Sequence, residues 1–285
     1  MTPDLPPGRS IELPERGTTF VRELGGPPGA PCLVLLHGWT VTADLNWFRC
    51  YAALARQYRV ISMDLRGHGR GIRCRWFRME DCADDVIALA DQLGIERIIP
   101  VGYSMGGAVA QLTAHRHAER CAGLVLCATA RQFHLRGADP RFVRALSPAV
   151  AVAATLTPDR LWQVLYDRLE HVRPRKGELD AWVAEEFRRS DPAALMQALV
   201  DIQRFDSREW IGALPLPISI VVTTNDETVP TLRQRRMAAS VPHARVIEVD
   251  APHRAAVEHS DVFVPALLNA CRAVTSARRP SSATG

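Results

Sequence analysis

Six short runs of successive apolar residues mark out this chain, at 32–36, 59–63, 98–101, 123–127, 218–222 and 245–249. Residues that are apolar on consecutive positions fit strands covered on both faces, the condition of a parallel sheet. A seventh stretch, 18–24, alternates and predicts a further strand before the Gly25-Gly26-Pro27-Pro28-Gly29 turn. Helical spacing predicts helices at 47–57, 79–93, 106–117 and 232–240. Strands alternating with helices predict an α/β fold with a doubly wound, mostly parallel sheet.

The alternation breaks between residues 131 and 213. That stretch reads as wholly helical, with helices expected at 140–145, 158–169, 178–188 and 192–202. Entering after a strand, it is expected to lie as a helical cap over the carboxyl ends of the strands, where open α/β sheets bind ligands. Trp162, Leu165, Leu169, Trp182 and Phe187 supply its apolar positions. The expected organisation is therefore a core of residues 1–130 and 214–275, a cap of residues 131–213, and a disordered tail at 276–285. Residues 1–9, rich in Pro and Gly, read as loose.

Composition narrows the function. With 285 residues, 47% hydrophobic and 23% charged, the chain reads as an ordinary soluble globular protein. The formal charge of +4 is carried by scattered arginines, with Lys176 the only lysine, so no nucleic-acid partner is expected. No apolar stretch suits a bilayer span, and the amino terminus does not resemble a signal peptide. The seven cysteines are scattered without a C-x-x-C, and read as reduced, buried thiols of a cytoplasmic protein. No H-E-x-x-H or His/Cys cluster stands at ligand spacing, so neither metal nor cofactor is expected. Oligomeric state is not legible.

The densest chemical signal is Gly102-Tyr103-Ser104-Met105-Gly106, a G-x-S-x-G between a predicted strand and a predicted helix. A turn that sharp forces its serine into a strained conformation, and side chains at 102 and 106 would collide with neighbouring backbone. The hydroxyl then stands clear at the sheet edge beside the positive end of a helix. Three segments supply partners. His37-Gly38-Trp39 ends a strand, where the Trp39 and Met105 amides are expected to donate to an oxyanion; His37 reads as a structural residue. Asp226 ends the 218–222 strand and can orient a histidine. Asp250, Asp64 and Glu227 are its rivals, with Asp64 better suited to tying down its own turn. His253 follows the last strand and is the candidate base; His68, His115, His117, His243 and His259 read as structural or exposed.

The chain order Ser104, Asp226, His253 resembles that of the α/β-hydrolase superfamily. The resemblance rests on LLHGW (35–39), MDLRGHG (63–69), VGYSMGGAVA (101–110), NDETVP (225–230) and PH (252–253). It covers nearly all of the chain outside the cap, and looks most like actinobacterial esterase- or lipase-like members. It implies Ser104 as nucleophile, Asp226 as acid, His253 as base, and Trp39 and Met105 as oxyanion donors. Serine at 104 argues against the haloalkane dehalogenases and epoxide hydrolases, which use Asp there. Pro252 stands where relatives usually have Gly; proline removes an N–H and pushes Ala251 toward an extended conformation, a change able to shift the loop carrying His253. The implied activity is cofactor-free cleavage of a small ester or thioester through an acyl-enzyme. Acyl transfer, lactone opening or perhydrolysis by the same residues is the alternative, and a non-catalytic binding protein on the same scaffold a second.

Overall fold

The computed structural model describes residues 3–133, 149–150, 152–158, 160–161 and 178–277. Its centre is an eight-stranded sheet in the order β1-β2-β4-β3-β5-β6-β7-β8. The strands are β1 (Gly8–Leu13), β2 (Gly17–Leu24), β3 (Cys32–Leu36), β4 (Arg59–Met63), β5 (Ile99–Tyr103), β6 (Leu124–Cys127), β7 (Ile218–Thr223) and β8 (Arg245–Val249). β1 and β2 pair antiparallel, as do β2 and β4; every pairing from β4 through to β8 is parallel.

The apolar runs are central strands for the expected reason: β3, β5, β6 and β7 are buried along their whole length. β5 runs two residues past Val101 to Tyr103, carrying the chain directly to Ser104. The amino-terminal reading needs correction: residues 8 and 9 open β1, an exposed edge strand whose polar, glycine-led sequence hides it from an apolar-run criterion.

Helices cover both faces. α3 (Met79–Gln92) and α4 (Met105–Arg116) bury Val86, Leu89, Val109 and Leu112 against one face. α1 (Ala43–Trp47), α2 (Tyr51–Ala55) and the carboxyl-terminal helix bury Trp47, Leu54, Phe263 and Leu267 against the other. The single helix expected at 47–57 is thus two short ones. α1 starts earlier because its polar residues face inward: Asp44 is bonded to Arg22, and Asn46 to Gly38. Thr42 caps it by accepting from Leu45 N.

Within the 131–213 stretch, α5 (Glu178–Arg188) and α6 (Pro192–Arg204) match the expected third and fourth helices. The helix expected at 140–145, most of that at 158–169 with Trp162, Leu165 and Leu169, and the tail from 278 lie outside the described residues. α6 is fastened to the core by polar contacts. Asp191 caps its start, accepting from Ala193 N and Ala194 N, while the Asp191 N–H donates to Gly67 O at 2.9 Å. Gln197 Oε1 accepts from Phe77 N at 2.6 Å, just before α3, and Asp201 Oδ2 from Met79 N at 2.7 Å, so one side chain of α6 holds the approach to α3 and a second satisfies an open amide of its first turn. Further helices are α7 (Thr231–Ala239), α8 (Ala255–Glu258) and α9 (Ser260–Ser276). No helix among the described residues is long and apolar enough to cross a membrane.

Burial raises the Asp201 carboxyl to about 6, against the pull of the Met79 N–H. In the unfolded chain the group titrates near about 3.9, so the folded protein takes up a proton between those values and its charged form costs stability at neutral pH. Asp201→Asn keeps an acceptor for Met79 N. It is expected to add about 1 kcal/mol of stability at neutral pH, a gain that fades as pH falls from about 6 to about 4. Urea midpoints at the two ends of that window check this; an equal gain at both would rule out the carboxyl's charge as its source.

Candidate active site

Ser104 joins β5 to α4 with φ 54° and ψ −118°, a conformation a non-glycine residue holds only when its surroundings impose it. The surroundings do so. A Cβ on Gly102 would lie 2.2 Å from Gly106 O, and one on Gly106 2.2 Å from Leu36 O. The turn is also pinned from β6: Ser104 N donates to Cys127 O at 3.0 Å, and Thr129 Oγ1 donates to Ser104 O at 2.7 Å. The serine side chain is left half-buried beside the amino end of α4.

His253, in the loop after β8, meets it. Its Nε2 lies 3.0 Å from Ser104 Oγ, and its Nδ1 2.7 Å from Asp226 Oδ2. Asp226 is buried, and both oxygens are occupied. Oδ2 accepts from Thr223 Oγ1 at 2.8 Å and from Gln234 Nε2 at 3.0 Å as well as facing His253. Oδ1 accepts from Thr228 N at 2.9 Å and from Val229 N at 2.8 Å. A carboxylate that only accepts leaves the proton on His253 Nδ1, and so leaves Nε2 to accept from the serine hydroxyl. An imidazole so placed can take the Ser104 proton.

Pro252 does not displace this loop. The segment is tied through carbonyls, which proline retains: Asn225 N donates to Ala251 O at 3.1 Å, Ala255 N to Pro252 O at 3.1 Å, and Tyr103 Oη to His253 O. The rival acids stand elsewhere. Asp250 Oδ1 accepts from Asn225 Nδ2 at 2.6 Å and Thr224 Oγ1 at 3.1 Å on the exposed side of the loop. Asp64 ties its own turn, accepting from Ala43 N and Arg70 N at 2.9 Å each, and burial raises its pKa. Glu227 is exposed.

His37 is wholly buried. Its Nε2 accepts from Leu65 N at 2.9 Å, so Nδ1 carries the proton and donates to Gly38 O at 2.8 Å. The ring links the loop after β3 to the loop after β4, and burial lowers its pKa to about 4. His68, 5.2 Å away ring to ring, is lowered to about 3 by burial and then by His37. Both belong to the scaffold. His117 bonds Asp84, and His115 stacks on Trp210.

Gly38 N donates to Asn46 Oδ1 at 3.0 Å, which leaves the Trp39 amide as the next donor along the loop. Among the described residues neither Trp39 N nor Met105 N has a protein acceptor, and Met105, at the first position of α4, has no partner within its helix. Trp39, Ser104 and Met105 line one cavity of about 160 Å³. Phe133, Leu199, Ile202, Val229 and Pro230 make its apolar wall, and Gln203, Thr228 and Arg233 its polar one. Trp39 Nε1 donates to Leu195 O at 2.8 Å, joining this loop to α6. Among the described residues no group of His, Cys, Asp and Glu could hold a metal ion. The sequence alone assigned no role to Thr223, Gln234, Asn46 or Tyr103; their roles come from contacts across the fold.

The family model described as the alpha/beta hydrolase fold matches residues 31–260. The chain belongs to this family. Among its relatives within the alpha/beta hydrolases, a pimeloyl-[acyl-carrier protein] methyl ester esterase of Chromobacterium violaceum is 30% identical over 255 residues, covering 87% of this chain and 96% of that protein. A thermophilic esterase from Thermogutta terrifontis, solved with malate bound, superposes with a TM-score of 0.72 at 25% identity, over 94% of this chain and 99% of that one. The enol-lactonase from Burkholderia xenovorans LB400 also gives a TM-score of 0.72, at 24% identity over 93% of this chain and 100% of that one, and shares the fold.

The contact of Gly106 with Leu36 O carries a stability expectation. Gly106→Ala must push α4 off β3, and is expected to cost about 3 kcal/mol or more. A urea midpoint that moves by less than about 0.5 kcal/mol equivalent would show that α4 has room to yield.

Proposed function

We propose that this chain is a serine carboxylesterase that cleaves esters of small aliphatic acids through an acyl-enzyme. One observation carries the reading: the continuous hydrogen-bonded series Ser104 Oγ, His253, Asp226, with separations of 3.0 and 2.7 Å. Ser104 Oγ attacks the ester carbonyl while His253 Nε2 takes its proton. The carbonyl oxygen, now negative, accepts from the Trp39 and Met105 amides. Collapse expels the alcohol, which leaves with the proton from His253. Water then attacks the acyl-Ser104 carbonyl, giving its proton to His253, and the acid leaves as Ser104 recovers its hydrogen. Asp226 stays ionised throughout and holds His253 in the productive tautomer.

The relative named as a methyl ester esterase, matched over nearly its full length, supports cleavage of an ester with a small alcohol. We assign residues 131–213 as the cap. Support comes from α6, which contributes Leu199, Ile202 and Gln203 to the wall of the serine cavity. Its apolar side suits the acyl chain. The acceptor of the acyl group is water in this reading, and no cofactor takes part.

Ser104→Ala is expected to lower kcat by about 10⁴-fold or more while the urea midpoint holds, and Asp226→Asn by roughly 10³–10⁴-fold. Asp250→Asn is expected to change it less than about threefold. The check is turnover of p-nitrophenyl butyrate alongside fluorophosphonate labelling; a Ser104→Ala protein that still labels and turns over would end the proposal. Chain length is a separate expectation. Each buried methylene is worth about 0.8 kcal/mol, so kcat/KM should rise by roughly tenfold from acetate to butyrate. A steady fall from acetate through butyrate to octanoate would show that the cavity does not receive the acyl chain.

A further inference from the structure

A second cavity, of about 570 Å³, opens at the opposite edge of the sheet. Ser104, Asp226 and His253 follow the carboxyl ends of β5, β7 and β8, whereas this cavity lies at the amino ends of β7 and β8, beneath the last turns of α9. Its volume is that of a small-molecule site. Small residues create the space: Ala273 in the last turn of α9 and Ala277, the extended residue just after it, line the cavity where larger side chains would close the gap between helix and sheet. Leu214, Leu216 and Pro217 add an apolar rim.

Two features give the cavity chemistry. Ser219 lines it, and the Ser219 hydroxyl is fully buried without a hydrogen-bond partner among the described residues. Ile218 and Ile220 pack into the core on one face of β7 and Val221 into that on the other, so Ser219 points to the α9 face. An orphaned buried hydroxyl costs about 1–3 kcal/mol, a cost that a ligand able to bond it would recover. Arg245 is its register partner on β8 and shares its face. It is exposed, lines the cavity, and has no ion-pair partner among the described residues. His243 adds a ring nitrogen at the mouth.

We propose that this cavity is a ligand site, separate from the catalytic one, for a small carboxylate with an apolar tail. The carboxylate accepts from the Arg245 guanidinium and the Ser219 hydroxyl, and the tail lies against Ala273, Ala277 and Leu216. A hydroxyl and a guanidinium on adjacent strands match two oxygens of one carboxylate; a neutral alcohol would use only one of them.

The test is calorimetric titration of octanoate into the full chain with Ser104 blocked by a fluorophosphonate, so that the catalytic cavity is closed to it. One molecule is expected to bind per chain. Arg245→Gln is expected to weaken octanoate about tenfold or more while leaving octanol unchanged. Ala273→Phe fills the cavity and should abolish binding, with hydrolysis of p-nitrophenyl butyrate by the unblocked variant kept within about twofold. Should Ala273→Phe fail to fold, Ser219→Val serves: losing the orphaned hydroxyl is expected to raise the urea midpoint and to weaken octanoate about fivefold or more, and unchanged octanoate affinity would count against the proposal. No octanoate binding up to its solubility limit, or binding indifferent to Arg245→Gln and to the cavity variant, would overturn the proposal.

Discussion

Leu36 and Gly106 share a space in which a single added methyl group would sit 2.2 Å from a carbonyl oxygen. That contact brings helix α4 against strand β3 at the point where β3 ends, and so sets where the Ser104 turn stands relative to the Trp39 loop. The serine cannot relax into an ordinary turn, because the glycine two residues before it is held against Gly106 O at the same closeness. Strain at one residue is kept by close packing between two elements, with the bonds to Cys127 O and from Thr129 Oγ1 holding the turn from the third side.

Around this contact the loops at the same sheet edge are held by charge. Arg22 makes two bonds to Asp44, Arg70 Nη2 lies 2.7 Å from Asp44 Oδ2, and Arg70 also approaches Asp64 at 3.4 Å and Glu186 at 3.7 Å. Burial raises the pKa of Asp64 and Glu186, whereas the bonds from Arg22 and Arg70 outweigh burial at Asp44 and lower it. A network of this kind adds little net stability against a hydrophobic alternative, but removing one partner strands the rest. Its consequence is register: the start of α1, the turn after β4 and the end of α5 are fixed to one another through the Arg70 guanidinium, and α1 is tied to β2 through Arg22.

The central parallel strands were legible because β3, β5, β6 and β7 are buried along their whole length; β8, which ends the sheet, is mostly exposed and carries Arg245 and Glu248, so only its apolar Val246, Ile247 and Val249 marked it. The three residues of the candidate site were legible because each follows one of these strands. β1 was not, since an exposed edge strand such as Gly8–Leu13 carries no apolar signal. The start of α1 was hidden because Asp44 and Asn46 are buried through bonds to Arg22 and Gly38, partners that periodicity does not see. The same limit applies within the site. That Asp226 is the orienting acid could be argued from its place after β7, but not that Thr223 and Gln234 hold it. Gln234 lies on α7 and reaches Asp226 only after that helix packs. His37 was readable as structural from its neighbours, while the Leu65 amide that fixes its tautomer comes from another loop.

Helix α6 is hydrogen-bonded to core groups through Asp191, Leu195, Gln197 and Asp201, at Gly67 O, Trp39 Nε1, Phe77 N and Met79 N respectively. None of these core groups has another protein partner among the bonds described. Without α6, the Met79 amide at the start of α3 and the Phe77 amide just before it would be open, and the Trp39 indole would face its cavity unbonded. Helix α6 and the sheet are therefore parts of one cooperative unit, and heat or denaturant should melt them in a single transition. Exchange of this helix between relatives would demand matching changes in two loops of the core, the one after β3 and the long connection from β4 to α3, which makes the clasp a brake on replacing the helix by itself.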